Sequence, residues 1–280
     1  MIKNSYVVGS NTHLSLSPII FNYWFKKYKI SGEYNYIEIN QKEFKKEIKK
    51  IFKIHKELGL NITVPYKEQI IPLISKSDNH SKSIGAVNCI TKINNKILGT
   101  NTDWLGIKNS LSWLEKQKKY KQTPKNKEKI AVLIGYGGSA KAVIYALEKM
   151  KFSKILLWNR SFNKIKNVKN FKTLKIIPHK LEKNNFFIDP LSNLVINTIP
   201  TNKFYINSNI NIVNKKTYGY DLVYNTTTNF LDLFSKTNRI SGIILLLHQA
   251  IPCFENWFNV KPKIDKKLID ILNQKLKETK

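Results

Sequence analysis

Arginine and cysteine are both scarce in this chain of 280 residues. Of its 48 basic residues only Arg160 and Arg239 are arginine, so lysine carries nearly all of the positive charge. Cys89 and Cys253 are too few for a disulfide framework and lack the spacing of metal ligands. We therefore expect no structural metal site, and a protein of the reducing cytoplasm.

A long hydrophobic run is also missing. The longest, at residues 243–247, is far shorter than the roughly 20 apolar residues that cross a bilayer. The first residues enter a strand pattern without an apolar signal segment. We expect a soluble protein with no membrane partner.

Acidic residues are few, and 19 of them against 48 basic ones give a formal net charge of +29. Such a charge ordinarily indicates a nucleic-acid partner. Here, however, the lysine pairs at 45–46, 49–50, 118–119 and 266–267 lie far apart, as on solvated helix faces. The excess of lysine, asparagine and isoleucine is typical of A/T-rich codons. A basic nucleic-acid-binding module stays the alternative outside the enzyme class, without a clustered aromatic and basic motif to support it.

Apolar residues make up 42% of the chain, enough for two domains with cores of their own. Strand patterns at 6–9, 34–39 and 61–64 alternate with helical patterns that begin at Pro18 and Phe44. This order predicts βαβ units and an open, mainly parallel α/β sheet.

Local signals predict where some of these elements begin and end. Asn40 and Glu43 resemble a capping box before the second helix, and Gly59 is expected to end that helix. Asn94 and Asn95 are expected to form the tight turn of a hairpin.

The run at residues 61–68 ends in a proline that is followed closely by a lysine. Apolar and polar residues alternate up to Val64, as in a half-buried strand, and Pro65 ends the run. Lys67 then stands at the strand exit, where open α/β sheets bind ligands. In a chain with so much lysine, a solvated surface charge is the plain alternative for Lys67.

Two polar residues stand at predicted helix starts. Ser17 precedes Pro18, and Asp103 precedes Trp104, so each is suited to capping a helix as well as to contacting a ligand. Ser15 has no such capping role.

Residues 130–134 form an unbroken apolar run that leads into a glycine-rich turn and a helical pattern. Gly135 permits the tight turn, and Gly137 lets a phosphate approach the backbone. Gly138 and Ser139 lie at the start of the helix, whose free N–H groups and dipole favour an anion. Strand, turn and helix in this order predict a nucleotide-binding Rossmann domain.

The next strand pattern, 155–158, ends in Asn159, Arg160 and Ser161. An acidic residue here would bind the ribose 2′-hydroxyl of NAD, whereas an arginine accommodates the 2′-phosphate of NADP. An arginine kept in a lysine-dominated chain indicates a need for planar, bidentate phosphate contact. The sequence therefore predicts NADP(H), with an ordinary surface arginine as the alternative.

Strand patterns at 194–198 and 218–224 follow, the first on the side expected for the nicotinamide. Gly242 then precedes an amphipathic helix that we expect to pack across the first domain. His248 in this helix is expected at the surface or at a boundary.

In this order, the motifs resemble those of the shikimate dehydrogenase family, NADP-dependent enzymes that reduce 3-dehydroshikimate. The resemblance spans nearly the whole chain. The segments that carry it are 15–18, 61–68, 85–88, 101–103, the glycine turn at 135–138, Asn159-Arg160 and Gln249-Ala250.

This resemblance implies a role for each matching residue. Lys67 would be the principal catalytic residue, with Asp103 as its partner. The residues implied in substrate binding are Ser15, Ser17 and Tyr224 for the carboxylate, and Thr63, Asn88 and Gln249 for the ring oxygens. Those implied in NADP(H) binding are Gly135, Gly137, Gly138, Ser139, Asn159, Arg160, Ser161, Lys164, Thr198 and Gly242.

The chain departs from the family pattern at a few positions. Cys89 replaces a frequent threonine, and Tyr136 stands where a small residue is usual in the glycine turn. Lys164 takes the place of an arginine that helps to hold the 2′-phosphate. An NAD-dependent quinate/shikimate dehydrogenase is the alternative within the enzyme class, and Arg160 argues against it.

The expected architecture is a substrate-binding catalytic domain of residues 1–103, completed by C-terminal helices at 243–280, and an NADP-binding Rossmann domain of residues 104–242. The resemblance implies an active site in the cleft between them and a place in aromatic amino acid (chorismate) biosynthesis. The expected partner is the small molecule 3-dehydroshikimate or shikimate, and no specific nucleic acid. A monomer and a homodimer both remain open.

Overall fold

The computed structural model describes residues 2–121, 128–182, 186–199, 216–224 and 228–278. The chain divides into two compact units, each with a six-stranded sheet. Unit 1 comprises Met1–Gly106 and Leu246–Lys280, and unit 2 comprises Ile107–Leu245. The assignment of substrate binding to one unit and of cofactor binding to the other stays a prediction.

The helices and strands follow one another in an α/β order. In chain order they are β1 Asn4–Gly9, α1 Ser17–Tyr28, β2 Glu33–Glu38, α2 Phe44–Ile54, β3 Glu57–Ile62, β4 Lys76–Ser77, α3 Asn79–Ile84, β5 Cys89–Ile93, β6 Lys96–Thr100, α4 Asp103–Lys116, β7 Ile130–Ile134, α5 Gly138–Lys149, β8 Lys154–Asn159, β9 Lys175–Lys180, β10 Leu194–Asn197, β11 Tyr218–Asp221, β12 Arg239–Ser241, α6 Gly242–Phe258 and α7 Lys266–Glu278. The boundaries between the units fall inside α4 and α6.

The sheet of unit 1 has the strand order β2-β1-β3-β5-β6-β4. β1 pairs in parallel with β2 and β3, and β4 pairs in parallel with β6, whereas β5 is antiparallel to both of its neighbours. The predicted mainly parallel α/β sheet is confirmed. So is the hairpin, because Asn94 and Asn95 connect β5 to β6 and Asn94 has a left-handed φ of 53°.

The sheet of unit 2 is parallel throughout, in the order β12-β11-β10-β7-β8-β9. Numbered within the unit, this is the 3-2-1-4-5-6 order of a Rossmann fold. The strand order reverses between β7 and β10, where such sheets bind their ligands at the carboxyl ends of the strands. The predicted Rossmann domain is therefore confirmed as a fold.

Gly59 does not end the second helix, contrary to the sequence prediction. α2 ends at Ile54, and Gly59 lies inside β3. A Cβ atom at Gly59 would lie 2.7 Å from the ring of Trp257, so the absent side chain lets α6 approach the sheet closely. Close packing against Trp257, and not a need for backbone freedom, explains why position 59 is a glycine.

β3 is not half buried either, and it ends at Ile62, before the predicted Val64. Polar Asn61 is only 6% exposed, because β3 is a central strand covered on both faces. Its side chain is satisfied there: Tyr34 Oη donates to Asn61 Oδ1 at 2.8 Å, and Asn61 Nδ2 donates to the Asn88 carbonyl at 3.1 Å.

The predicted capping box at the start of α2 is also wrong. Asn40 Oδ1 accepts a hydrogen bond from the backbone N–H of Lys42 at 3.1 Å, inside a turn that precedes the helix. The residue at the N-cap is Glu43, and its side chain does not cap the helix.

Aromatic side chains fasten α1 and α6 to the sheet of unit 1. Phe21 of α1 stacks on Tyr34 with 4.2 Å between ring centroids, and it also packs against Phe254 and Trp257 of α6. Trp257 Nε1 donates to the carbonyl of Ile90 in β5 at 3.0 Å. The expected packing of this helix on the first domain is thus confirmed. Among the described residues, no helix combines the length and the hydropathy that a membrane span requires.

Candidate active site

A turn after β3 presents Lys67. Tyr66, fully buried, anchors this turn, because its ring stacks on Phe44 at 4.0 Å and its hydroxyl donates to the carbonyl of Ile39. The backbone of Lys67 is held as well, since its carbonyl accepts the N–H of Val87 at 2.8 Å. Lys67 therefore projects from a fixed point and not from a loose surface loop.

The Lys67 ammonium lies 2.6 Å from Asp103 Oδ2, and the two side chains are only 11% and 9% exposed. Asn88 Nδ2 donates to the other carboxylate oxygen, Oδ1, at 2.8 Å. A charge pair this enclosed and this well hydrogen-bonded is unlike a solvated surface lysine. The surface interpretation of Lys67 is wrong.

The capping interpretation of Asp103 is wrong too. Asp103 is the first residue of α4, and the side chain of Asn101, two residues earlier, caps the helix. Asn101 Oδ1 accepts from the backbone N–H of Asp103 at 3.0 Å and of Trp104 at 3.4 Å. This arrangement leaves the Asp103 carboxylate to face Lys67.

Asn88, Thr102 and Gln249 form a buried polar network beside this pair. Asn88 Oδ1 accepts the backbone N–H of Thr102 at 2.6 Å, and Asn88 Nδ2 lies 3.3 Å from Gln249 Oε1. Thr102 Oγ1 also lies 3.3 Å from Gln249 Oε1, and Gln249 Nε2 donates to the carbonyl of Leu246 at 3.1 Å. Three residues from distant parts of the chain, Lys67, Asp103 and Gln249, are thus linked through Asn88.

At the start of α1, Ser15 and not Ser17 makes the capping hydrogen bond. Ser17 is the first residue of the helix and does not cap it, so that prediction is wrong. Ser15 Oγ instead accepts the backbone N–H of Ser17 at 3.2 Å. Thr63, which follows β3, continues alongside β1 through a hydrogen bond from its N–H to the Val8 carbonyl at 2.9 Å.

In unit 2 the glycine turn has the backbone of a phosphate site. Gly135 has a φ of +99°, and a Cβ there would lie 2.4 Å from Thr198 Oγ1, so only glycine fits. Gly137 occupies the N-cap of α5, and in the described part of the chain no atom lies within 4 Å of where its Cβ would stand. Gly138 and Ser139 then open the helix. A helix N-terminus that begins with a glycine suits the close approach of a pyrophosphate.

Arg160, Ser161 and Lys164 follow β8 and are all exposed at the carboxyl end of this parallel sheet. Asn159 Nδ2 donates to the Ser161 carbonyl at 3.0 Å and so orders the turn. A guanidinium and an ammonium here fit the 2′-phosphate of NADP.

The remaining predicted residues of unit 2 surround the same strand ends. Thr198 follows β10, and its hydroxyl donates to the carbonyl of Ile134, the last residue of β7, at 2.8 Å. Gly242 opens α6, and a Cβ there would lie 2.5 Å from the carbonyl oxygen of Leu222. Tyr224 follows Leu222 by two residues and is partly buried.

Comparison with known proteins agrees with this geometry. The profile of the shikimate dehydrogenase substrate binding domain matches residues 7–90. A shikimate dehydrogenase (NADP(+)) of Pelagibacter ubique is 36% identical over 282 residues, which cover 98% of this chain and 100% of that protein. The chain belongs to the shikimate dehydrogenase family.

Other members of this family extend the likeness. A shikimate dehydrogenase (NADP(+)) of Aquifex aeolicus is 34% identical, over 90% of this chain and 89% of that protein. The crystal structure of shikimate dehydrogenase from Aquifex aeolicus matches with a TM-score of 0.79 and 27% identity, covering 98% of each chain. A crystal structure of a shikimate dehydrogenase in complex with NADP+ matches with a TM-score of 0.76 and 26% identity, over 98% of this chain and 96% of that one.

Sequence reasoning missed Asp221, a carboxylate at the end of β11 that orders the segment carrying Tyr224. Its Oδ1 accepts from Asn197 Nδ2 at 2.9 Å and from the Val223 N–H at 3.0 Å, and its Oδ2 accepts from the Thr228 hydroxyl. Burial raises the pKa of Asp221 even though these donors oppose the shift. Its position three residues before Tyr224 was the available signal.

His248 was expected at the surface or at a boundary, and it is buried, with 7% of the residue exposed. Burial lowers the pKa of His248 to about 4, so the imidazole is neutral near pH 7. Burial, followed by a hydrogen bond with Cys253, raises the pKa of the Cys89 thiol well above its usual value. Both cysteines are free and buried, which makes them poor nucleophiles.

Proposed function

We propose that this chain catalyses the reversible, NADPH-dependent reduction of 3-dehydroshikimate to shikimate, a step of aromatic amino acid biosynthesis. The observation that carries the proposal is the enclosed Lys67–Asp103 pair, at 2.6 Å, in a chain that matches a shikimate dehydrogenase (NADP(+)) over 98% of its length. The alternative of a basic nucleic-acid-binding module has no comparable support.

The pair suits the chemistry of ketone reduction. As hydride reaches the carbonyl carbon, negative charge develops on the carbonyl oxygen, and a nearby ammonium stabilises and protonates it. Asp103 holds the Lys67 ammonium in one direction, and Asn88 holds Asp103 from its other oxygen. In the reverse direction, Lys67 accepts the proton of the substrate hydroxyl.

The other predicted residues bind and orient the substrate in this proposal. Thr63, Asn88 and Gln249 contact ring oxygens, and Ser15, Ser17 and Tyr224 bind the carboxylate. A remote carboxylate contact gives binding energy that is equal in the ground and transition states, so it acts chiefly on KM.

NADP(H) would be held by unit 2. The start of α5 with Gly135, Gly137, Gly138 and Ser139 accommodates the pyrophosphate, and the adjacent Thr198 and Gly242 border the nicotinamide. Asn159, Arg160, Ser161 and Lys164 would bind the 2′-phosphate. The cofactor supplies the hydride, and the chain supplies orientation and electrostatics.

We further propose that residues 1–103 with 243–280 form the substrate domain and residues 104–242 the NADP domain. The division of the chain into two compact units near these residues supports the assignment. A cytoplasmic location, with shikimate or 3-dehydroshikimate as the small-molecule partner, is part of the same proposal.

The test is to follow NADPH formation by absorbance with purified protein and shikimate. Parallel assays replace shikimate by quinate, and NADP+ by NAD+. We expect turnover with shikimate and NADP+, loss of turnover in Lys67→Ala, and wild-type turnover in Lys49→Ala, an exposed lysine of α2. Absence of NADP+ reduction with shikimate in the folded wild-type protein would refute the proposal.

A further inference from the structure

Tyr136, which departs from the family pattern in the glycine turn, has a cation over its ring. The Lys141 ammonium lies 5.6 Å from the centroid of the Tyr136 ring. This distance is within the roughly 6 Å at which a cation is attracted to the face of an aromatic ring. Tyr136 stands between Gly135 and Gly137 and is partly buried, so the contact brings a positive charge to the glycine turn itself. The function proposed above gives neither side chain a role.

Lys141 lies in the first turn of α5, and its backbone N–H donates to the carbonyl of Gly137 at 3.0 Å. Side chains on a helix lean toward its N-terminus, so the stem of Lys141 runs back toward the turn and its ammonium lies beside Tyr136. Residues 138–141, which form the first turn and are all described, include no acidic residue that would neutralise this charge. An ammonium is therefore placed at the helix start that is proposed to receive the pyrophosphate.

A lysine at a helix start does not by itself indicate a ligand in this chain. α2 and α7 also have lysines in their first turns, at 45–46 and 266–267. Lys141 differs from these because an aromatic ring holds its ammonium next to a turn that requires glycine, with Gly135 at a φ of +99°.

α5 has a second lysine–tyrosine pair at its other end, which serves as a comparison. The Lys149 ammonium lies 5.0 Å from the centroid of the Tyr145 ring and 3.0 Å from Glu148 Oε2. Lys149 is the last residue of the helix, where the dipole favours a cation, whereas Lys141 stands at the end where the dipole favours an anion. Helix stability accounts for the position of Lys149 but not for that of Lys141.

We propose that Lys141 is a cofactor-binding residue, whose ammonium contacts the pyrophosphate of NADP(H), and that Tyr136 is a positioning residue, whose ring holds this ammonium beside the turn. The proposal rests on the function proposed above, in which the start of α5 receives the pyrophosphate. A charge-assisted hydrogen bond from the ammonium would add to the contacts that the backbone N–H groups make. Holding the lysine in place before the cofactor arrives reduces the side-chain entropy that is lost on binding.

The first experiment compares Lys141→Met with Lys149→Met, the matched control at the other end of the helix. NADPH and NADH affinities are measured by fluorescence titration. We expect Lys141→Met to weaken the binding of both cofactors by the same factor, about tenfold to a hundredfold, because the pyrophosphate is common to both and the 2′-phosphate is not. Lys141→Arg should retain the affinity, and Lys149→Met should leave it unchanged.

Variants of Tyr136 test whether the ring positions the lysine. Tyr136→Leu should weaken NADPH binding about twofold to fivefold, since a cation–π contact that is not fully buried is modest in strength. Tyr136→Phe should keep the wild-type affinity, because the ring face and not the hydroxyl makes the contact. In the Lys141→Met background, Tyr136→Leu should add nothing, since the group that the ring holds is already gone.

The melting temperature of the cofactor-free protein separates binding from structure. Lys141→Met should melt at or above the wild-type temperature, because the helix dipole disfavours a cation at this end. A lower melting temperature, an unchanged NADPH affinity, an equal loss of affinity in Lys149→Met, or a loss confined to NADPH would overturn the inference while the proposed function stands. Wild-type protein that binds neither NADPH nor NADH would overturn both.

Discussion

The Lys67 side chain is expected to act together with its partner Asp103. If Lys67 donates the proton to the carbonyl oxygen as hydride arrives, its loss is felt in the transition state. Lys67→Ala should therefore lower kcat on the order of a hundredfold or more. NADPH affinity should be unchanged, because the cofactor is bound by the other unit in the proposed function. Steady-state kinetics and NADPH fluorescence measure the two quantities, and near-normal turnover would contradict the role of Lys67.

The 2.6 Å contact between Lys67 and Asp103 leads to a second prediction, which concerns Asp103. Asp103→Ala should lower kcat about as far as Lys67→Ala, and the double variant should be no slower than either single one, because the two groups act together. Multiplicative losses in the double variant would show that Asp103 acts independently of Lys67.

Arg160 is expected to set the preference for NADP over NAD. Replacement of this exposed guanidinium by aspartate removes a charge-assisted phosphate contact and adds repulsion. Arg160→Asp should narrow or reverse the ratio of kcat/KM for the two cofactors, measured at saturating shikimate. Arg239→Asp is the matched control, since the other arginine of the chain lies in β12 and bonds Asp232 at 2.9 Å. Equal efficiency with both cofactors in the wild type would contradict the assignment.

Residues within motifs could be predicted from the sequence, whereas residues that support them could not. Lys67, Asp103 and Asn88 stand in recognisable segments, and the structure brings them together. Lys141 was not predicted, because its contact with the ring of Tyr136 depends on how the first turn of α5 directs its side chains. Ser15 and not Ser17 makes the capping hydrogen bond because side-chain direction at a helix start is set by local backbone angles that sequence spacing does not give.

Among elements, strand and helix order was predictable and the burial of individual strands was not. β7 and β8 could be predicted from their apolar runs, because buried parallel strands consist almost entirely of hydrophobic residues. β3 was misjudged because Asn61 looks polar in sequence but finds buried partners from three distant parts of the chain. Gly59 was misjudged because sequence shows a glycine but not the indole that packs over it.

Two glycines, Gly59 and Gly137, should respond oppositely to the same added methyl group. At Gly59 the methyl carbon would lie 2.7 Å from the Trp257 ring, so Gly59→Ala should cost about 1–3 kcal/mol of stability through overpacking. At Gly137 it would meet none of the described residues within 4 Å, so stability should hardly change, but the methyl would stand where a phosphate approaches α5 in the proposed function.

Thermal melting and NADPH fluorescence on both variants separate these effects. Gly59→Ala should melt earlier and keep its NADPH affinity, and Gly137→Ala should do the reverse. If both variants lost stability alone, the glycine turn would have a structural role and the assignment of the phosphate site would be wrong.

At the scale of the whole molecule, the charge of +29 has to be reconciled with an enzyme. Its lysines are dispersed along the sequence of both units and are not clustered in one segment. We expect only weak nucleic-acid binding that weakens steeply with salt, since such binding depends on counterion release. Electrophoretic mobility shifts with duplex DNA and RNA at rising salt are the measurement. Tight, sequence-selective binding at physiological salt would restore the nucleic-acid alternative.

The stability of the whole molecule toward acid should also depend on His248, over a pH range that its pKa shift defines. The pKa of His248 falls from 6.5 to about 4 on burial, so the unfolded chain takes up a proton that the folded chain refuses. The stability that depends on neutral His248 is therefore complete above pH 6.5 and is lost as the pH falls toward 4. Between pH 7 and pH 5 the loss amounts to about 2 kcal/mol, at roughly 1.4 kcal/mol for each pKa unit.

Urea unfolding of the wild type and of His248→Gln at several pH values isolates this contribution from that of the other titrating groups. The variant cannot bind the proton, so its free energy of unfolding should fall less than that of the wild type from pH 7 to pH 5, by about 2 kcal/mol. Between pH 7 and pH 9 the two curves should run parallel, because His248 is neutral in both the folded and the unfolded chain there. Parallel curves in the acidic range as well would mean that the imidazole reaches solvent in the folded protein and that its burial is not maintained in solution.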